Sequence, residues 1–171
     1  MIPDSVLKWR ALAGMAKSFG MEQGIVLAVI WQESGGNPWA YNPEPRYRWY
    51  WNVKANKPFR TLTPEEIASE SPPADFPCLV GDPDQEWWGQ EASWGLMQVM
   101  GAVARERGFR GSYLTQLCEP EIGVQIGCLH LQHHLLATND RRAALLRYNG
   151  GGNPKYPDEV LAKMKEIENV R

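Results

Sequence analysis

The sequence predicts a mainly α protein that forms a single domain over residues 1–171. Apolar residues recur at helical spacing before Gly20 and again after Trp94, and capping residues and prolines mark the starts of these segments. No segment alternates as a strand would, and no internal repeat is present. The 171 residues, of which 43% are hydrophobic, suffice for one domain with a buried core. We expect about seven helices and no strand.

The first two helices are bounded by caps and glycines. Asp4 or Ser5 caps a helix that carries an apolar stripe and ends at Gly20. The next helix begins near Glu22 and is apolar on nearly every side, which places it in the interior. The pair Gly35-Gly36 then supplies a left-handed C-cap.

Residues 40–92 form an irregular insert rich in proline and aromatic residues. One short helix is predicted in it, where Thr63 caps, Pro64 takes the first position and Glu66 closes a capping box. An irregular segment this long is typical of a functional or mobile loop. Its aromatic side chains either line a cleft for flat sugar rings or pack the insert onto the body. They are Tyr41, Tyr47, Trp49, Tyr50, Trp51, Phe59, Trp87 and Trp88.

Helical periodicity returns after the insert. Pro120 and Pro157 stand near the starts of two predicted helices, and Asp140 caps a third. Glycines end two of the segments. The predicted helices cover residues 95–107, 119–137, 141–149 and 160–168.

Composition excludes several classes of partner. The net charge of −2 leaves no polybasic surface for nucleic acid or anionic lipid. The longest apolar run is too short to span a membrane, and the N-terminal residues Met1-Ile2-Pro3-Asp4 lack the regions of a signal peptide. We expect a chain made in the cytoplasm, with no nucleic-acid partner and no membrane span.

The cysteines and histidines form no recognisable metal site. Cys78, Cys118 and Cys128 are an odd set, so at least one thiol is unpaired, and we expect reduced cysteines buried as small apolar groups. His130 and His134 are one helical turn apart, but their spacing from the cysteines fits no structural zinc pattern. We expect no metal and no cofactor.

Glu33 is the first candidate for catalysis. It lies just after the apolar run 25–31, in the last turn of the second helix, which is the negative end of the helix dipole. Both this position and the apolar neighbours raise the pKa of a carboxyl group. A carboxylic acid that stays protonated near neutral pH is what a general acid needs. The alternative is a solvated glutamate at a frayed helix end.

Three short motifs stand in order along the chain. Glu33-Ser34 lies at a helix end, Ser93-Trp94-Gly95-Leu96-Met97-Gln98 at a helix start, and Arg147-Tyr148-Asn149-Gly150-Gly151 at another helix end. Together they resemble the catalytic domain of the soluble lytic transglycosylases, lysozyme-like enzymes that cut the glycan strands of peptidoglycan. The resemblance runs from about Glu22 to Tyr148 and is interrupted by the insert.

The resemblance implies a role for each matching residue. Ser34 contacts the substrate or steadies the site, while Met97 and Gln98 line the floor on which the sugar binds. Tyr148 donates its hydroxyl to the catalytic acid, and Asn149 hydrogen-bonds the backbone or the substrate nearby.

The resemblance also implies a mechanism with one carboxylate. Glu33 is then the catalytic acid and later the base, whereas ordinary glycosidases need a second carboxylate. In this family the N-acetyl carbonyl of the substrate stabilises the cation. Glu33 takes the proton of the C6 hydroxyl, and the ring closes to a 1,6-anhydro-muramyl end without water.

Two alternatives remain open. Glu91 lies shortly before Gly95, which is similar to goose-type lysozymes, where an aspartate precedes the same motif. If Glu91 holds a water on the opposite face of the sugar, the enzyme is an inverting muramidase; Glu44 and Glu86 are weaker candidates for this second acid. The other alternative is a non-catalytic glycan-binding or structural module, in which the insert binds wall sugars or a partner protein.

The expected setting follows from the same resemblance. A wall-cutting domain of this length, without a signal peptide or a wall-binding domain, suggests a bacteriophage lysis or virion enzyme or a protein moved by a dedicated secretion machine. We expect it to reach the cell wall or periplasm with a delivery partner and to act on glycan strands as a monomer.

Overall fold

The computed structural model of the protein describes residues 1–69 and 71–170. Helices dominate these residues, so the predicted mainly α fold is confirmed. The nine α-helices among them are α1 (Asp4–Leu7), α2 (Arg10–Ala13), α3 (Gln23–Ser34), α4 (Pro64–Ala68), α5 (Pro83–Gln90), α6 (Gly101–Glu106), α7 (Pro120–Thr138), α8 (Arg141–Tyr148) and α9 (Tyr156–Asn169). The strands are β1 (Tyr41–Pro43), β2 (Trp51–Asn52), β3 (Lys57–Pro58), β4 (Ala92–Trp94) and β5 (Val99–Met100), and Gly14–Phe19 and Leu114–Cys118 are 3-10 helices. None of the helices described has the length and apolarity to cross a bilayer.

Helix α3 is the centre of the core. Its residues from Ile25 to Ile30 are all buried, as expected for a helix without a polar face. Helix α9 packs along α3, and α7 packs against α8, so these four helices enclose most of the apolar core. Helix α3 ends at Ser34, and its C-cap Gly35 adopts the left-handed conformation with a φ of 59°. Glu33 therefore lies in the last turn, as predicted.

The N-terminal segment is more broken than predicted. Instead of one helix up to Gly20, the chain forms α1, α2 and a 3-10 helix in succession. The segment bends to meet the end of α3, where Ser5 Oγ donates to the carbonyl of Gly35 at 2.8 Å and Trp9 Nε1 donates to that of Gly36 at 2.9 Å. A Cβ on Gly36 would overlap the carbonyl oxygen of Ser5, so only glycine allows this approach.

A three-stranded antiparallel sheet lies in the region where no strand is predicted. Strand β4 lies between β1 and β5, and Ser93 pairs with Asn42 on one side and Met100 on the other. Paired residues of neighbouring strands point to the same face of a sheet. The polar residues Asn42 and Ser93 therefore share one face, and the pair Tyr41 and Trp94 shares the other.

The predicted helix over residues 95–107 is wrong in its first half. Helix α6 begins only at Gly101, and the preceding residues turn the chain from β4 to β5. Gly95 has a φ of 71°, and a Cβ on it would overlap the carbonyl oxygen of Leu117, so the backbone leaves the helical conformation there. Apolar spacing could not reveal this, because Leu96 is as buried in a hairpin as it would be in a helix.

The insert has a small core of its own. Tyr50, Leu62, Phe76 and Trp87 are buried together, and the rings of Tyr50 and Trp87 stack with centroids 4.0 Å apart. Trp87 lies on α5, a helix that the sequence analysis missed although Asp82 caps it and a proline follows. The short capped helix that was predicted in the insert is confirmed as α4.

The insert aromatics divide into buried and exposed side chains, and a contact with sugar rings stays a prediction for the exposed ones. Tyr50 and Trp87 pack the insert, whereas Trp49 is 75% exposed and Trp88 is 45% exposed. A buried ion pair joins the insert to the body, since Arg105 of α6 contacts Glu86 of α5 at 2.7 Å. The insert is thus held as part of the domain.

Candidate active site

A cavity of about 530 Å³ opens beside the end of α3. Its walls come from α3, the three-stranded sheet, α6, α7 and α8. Of the residues that the sequence predicts for the site, Glu33, Gln98, Tyr148 and Asn149 line it. The other lining residues are Asn42, Glu44, Tyr47, Ser93, Val99, Met100, Val103, Glu106, Arg107, His130, His134, Arg147 and Gly150. This volume is typical of a ligand-binding cleft.

Glu33 has the electrostatic properties of a general acid. Its side chain is half-buried, and loss of water around it raises its pKa from 4.5 to about 7, although a hydrogen bond from Tyr156 lowers the pKa in part. The last turn of α3 carries no basic residue that would stabilise the charged form. The carboxyl group therefore holds a proton near neutral pH and can give it away.

Tyr156, at the start of α9, is a site residue that sequence reasoning missed. It is buried, and its hydroxyl donates to Oε1 of Glu33. Polar contacts hold α9 against α3, since Gln32 Nε2 donates to Glu159 at 3.0 Å and Lys163 Nζ donates to Gln32 at 2.6 Å. Burial, followed by the charge of Glu33, raises the pKa of Tyr156, which keeps the phenol protonated as a donor. Its only sequence signal is its place before the proline of a predicted helix, and this says nothing about Glu33.

The prediction that Tyr148 donates its hydroxyl to Glu33 is wrong. The buried hydroxyl of Tyr148 donates to the carbonyl oxygen of Met97 at 2.7 Å. A phenol has a single hydrogen, so it cannot donate to Glu33 at the same time. Tyr148 still lines the cavity, and burial, followed by the charge of Glu33, raises its pKa. Its bond fixes the turn between β4 and β5 against α8.

Neither Ser34 nor Met97 lines the cavity, and Ser34 joins α3 to this turn. Ser34 Oγ lies 2.8 Å from the carbonyl oxygen of Leu96 and 3.1 Å from that of Ile30. Of the two roles expected for Ser34, these contacts favour the steadying one. The side chain of Met97 does not form the expected floor, because it is fully buried against Gly127, where a Cβ would overlap its sulfur.

Gln98 and Asn149 present amide groups to the cavity. Gln98 has a φ of 46°, and its Nε2 donates to the carbonyls of Ala40 at 3.0 Å and Gly95 at 2.9 Å. With the nitrogen engaged in this way, its oxygen is left as an acceptor. Asn149 Oδ1 accepts from the backbone N–H of Asn153 at 3.1 Å, which leaves its NH₂ group as a donor.

The structure separates the candidates for a second acid. Glu91 does not line the cavity; it is buried, the hydroxyl of Tyr50 donates to it, and Arg48 lies 3.5 Å away. Glu44 does line the cavity, together with Glu33. Of the three glutamates that the sequence offers as a second acid, Glu44 is therefore the one that lines the cavity with Glu33.

Imidazole rings continue the cavity wall from Tyr148. The His130 ring centroid lies 5.0 Å from that of Tyr148 and 4.6 Å from that of His134. Burial lowers the pKa of His130 to about 3 and that of His134 to about 4, so both rings are neutral at pH 7. Arg107 Nε donates to Nδ1 of His130 at 3.4 Å. Across residues 1–69 and 71–170, no three His, Cys, Asp or Glu side chains are grouped as metal ligands would be.

Comparison with known proteins identifies the family. Curated proteins and solved structures each yield no match. The family model described as a transglycosylase SLT domain matches residues 11–170, a span that includes every residue lining the cavity. The match confirms the resemblance to lytic transglycosylases of the lysozyme-like superfamily, an enzyme class that cleaves peptidoglycan. The chain belongs to the transglycosylase SLT domain family.

Proposed function

We propose that the protein is a lytic transglycosylase that cleaves the β-1,4 bond between N-acetylmuramic acid and N-acetylglucosamine in peptidoglycan. The environment of Glu33 carries the proposal, because a half-buried carboxyl group with a pKa of about 7 borders an open cavity. The amides of Gln98 and Asn149 offer hydrogen bonds of the kind that N-acetyl and hydroxyl groups accept or donate. Membership in the family supports the class of reaction.

In the proposed reaction Glu33 acts twice. Protonated Glu33 gives its proton to the glycosidic oxygen as the bond from that oxygen to C1 of the muramic acid breaks. The N-acetyl carbonyl oxygen of the same sugar stabilises the positive charge at C1. The Glu33 carboxylate then takes the proton of the C6 hydroxyl, and O6 bonds to C1 to close the 1,6-anhydro ring. No water is consumed, and Glu33 ends in its starting state.

The hydrogen bond from Tyr156 suits both halves of this cycle. A neutral phenol orients the carboxyl group without adding charge, and it stabilises the carboxylate after the first proton transfer. The second step needs no other carboxylate. Glu91, the base expected for the alternative mechanism, is engaged with Tyr50 and Arg48.

Mass spectrometry of the muropeptides released from purified sacculi tests the proposal. We expect products with 1,6-anhydro-muramyl ends, each lighter by one water than the hydrolysis product of the same bond. Products that all carry the extra water would contradict the proposed mechanism, although the bond cleaved would be the same.

Glu33→Gln is the matched variant, because glutamine has nearly the same size and cannot give a proton. We expect it to lose at least about a hundredfold in the rate at which it clears a suspension of sacculi. It should still sediment with the sacculi. Clearing at the parental rate would remove Glu33 from the mechanism. Binding by parent and variant with no cleavage by either would favour the non-catalytic glycan-binding module.

The position of Glu44 favours one second candidate, inverting hydrolysis. Glu44 and Glu33 line the same cavity, as an acid and a base around a water would. Reaction in water enriched in ¹⁸O separates the two mechanisms, because hydrolysis places the label on the new reducing end and ring closure does not. Glu44→Gln should leave the release of anhydro products unchanged, whereas it would abolish a hydrolysis that depends on Glu44.

A further inference from the structure

We propose that a basic wall of the cavity binds a carboxylate of the peptide stem that the muramic acid carries. The basic wall consists of Arg107, His130, His134 and Arg147. This inference rests on the proposed function and adds the part of the substrate that the enzyme recognises. The glycan of peptidoglycan would then be distinguished from an uncharged polysaccharide by a charged group beside the sugar.

The basic wall is assembled from three helices. Arg107 follows the last residue of α6, His130 and His134 lie one turn apart on α7, and Arg147 lies in the last turn of α8. All four side chains border the cavity that Glu33 borders. A substrate bound at Glu33 therefore has the basic wall within the same cleft.

Arg147 has a charge without a partner. Its side chain is exposed, and it pairs with no carboxylate in the part of the chain that the structure describes. The two other arginines of α8 do pair, Arg141 with Glu22 at 2.9 Å and Arg142 with Asp158 at 2.7 Å. Arg147 is thus free to bind a carboxylate of a ligand.

The imidazoles add a second unpartnered group. His134 Nε2 is buried and has no hydrogen-bond partner within residues 1–69 and 71–170. A buried polar atom without a partner costs free energy, and a ligand group that reached it would recover that cost. His130 Nδ1 already accepts a hydrogen bond from Arg107 Nε at 3.4 Å, which holds the Arg107 guanidinium beside this imidazole.

Charge identifies the part of the substrate that this wall fits. Both imidazoles are neutral, so the positive charges of the basic wall are those of Arg107 and Arg147. Arg107 forms an ion pair with Glu106 at 3.3 Å. The sugar rings of peptidoglycan are uncharged, and its negative charge lies in the carboxylates of the peptide stem. A guanidinium binds a carboxylate through two parallel hydrogen bonds, so Arg147 suits this group better than it suits a sugar hydroxyl.

Binding calorimetry tests the proposal. In this experiment alone the parent is the Glu33→Gln variant, which does not cleave the ligand. The ligands are soluble peptidoglycan strands whose stem carboxylates are either free or converted to primary amides. We expect the parent to bind the free form more tightly, and Arg147→Ala in this background to weaken that binding about tenfold without affecting the amidated form. Arg147→Lys, which keeps the charge, should recover part of the loss. Arg142→Ala, on the same helix, is the control and should bind both forms as the parent does.

The outcomes separate this inference from the proposed function. Equal binding of the free and the amidated strands by the parent, or unchanged binding by Arg147→Ala, would overturn the role of the basic wall. Either result leaves cleavage at Glu33 in place, because cleavage is measured on sacculi with the unmodified protein. A preference for free carboxylates that depends on Arg147, without any cleavage of sacculi, would support the wall and overturn the transglycosylase.

Discussion

The hydroxyl of Tyr156, on α9, donates a hydrogen bond to Oε1 of Glu33, on α3. This bond stabilises the carboxylate and opposes the effect of burial, which is the larger of the two. The pKa of Glu33, about 7, is therefore the balance between a desolvated helix end and a donor that comes from the far end of the chain.

Tyr156→Phe tests this balance through the pH dependence of activity. In the unmodified protein, which is the parent here, cleavage should fall as the pH rises through about 7, because Glu33 loses the proton that it must give. Removal of the donor raises the pKa of Glu33 further, so the alkaline limb of the rate profile should move to higher pH. The maximal rate should fall about tenfold, since the carboxyl group loses a charge-assisted hydrogen bond. Initial rates of sacculus clearing across pH measure both effects.

Tyr148→Phe is the contrasting variant. It leaves the hydrogen bond between Tyr156 and Glu33 intact and removes the one to the carbonyl of Met97. We expect lower stability, because that carbonyl stays buried without its partner, while the alkaline limb remains near its parental position. A limb that shifts in Tyr148→Phe and stays in place in Tyr156→Phe would reverse the two assignments.

Glu33 should also make the stability of the fold depend on pH. Its pKa is about 7 in the folded protein and 4.5 as the ordinary value, so its contribution to stability is complete below pH 4.5 and is lost as the pH rises to 7. Glu33→Gln cannot ionise, so it should match the parent at pH 4. It should exceed the parent at pH 8 by up to about 3 kcal/mol in the free energy of unfolding. Denaturant unfolding of both proteins at the two pH values measures the difference, and a constant difference would contradict the raised pKa.

The ion pair between Glu86 and Arg105 should be a main attachment of the insert. Both side chains are buried, and Arg105 also donates to the carbonyls of Phe109 at 3.1 Å and Gly111 at 2.8 Å. Glu86→Gln leaves the guanidinium buried without a counter-charge, which should cost about 3 kcal/mol in the free energy of unfolding. Arg142→Gln breaks an exposed pair and should leave the free energy of unfolding unchanged. Urea titration of both variants and the unmodified protein measures the two effects. Equal effects of the two variants would contradict the burial of Arg105.

Gly95 should tolerate no side chain. Its φ of 71° disfavours an L residue, and a Cβ would overlap the backbone oxygen of Leu117. Gly95→Ala should therefore lower the free energy of unfolding by about 2 to 4 kcal/mol and displace the turn that presents Gln98. Gly152→Ala is the control, because nothing lies within 4 Å of its added Cβ. Thermal unfolding and the clearing rate at permissive temperature measure the two consequences.

Local signals allowed most of the helical fold to be predicted. The cap at Asp140 and the prolines in the first turns of α7 and α9 act over one turn of helix, so they can be read without a structure. The last turn of α3 follows from the same kind of signal, and the apolar run before it favours a raised pKa for Glu33, with a solvated glutamate as the alternative that the structure excludes. Where the local pattern was ambiguous, prediction failed, as in the turn that begins at Gly95.

The sequence by itself determined a mainly α domain and a carboxyl group placed at an apolar helix end, because both follow from contacts between near neighbours in the chain. Tertiary structure decided which groups meet that carboxyl group. It brought Tyr156 to Glu33 and Tyr148 to the Met97 carbonyl, and it kept Glu91 out of the cavity. These partners lie on helices and strands that are separate in the chain, and the packing of apolar faces that sets their distances has no local pattern in the sequence.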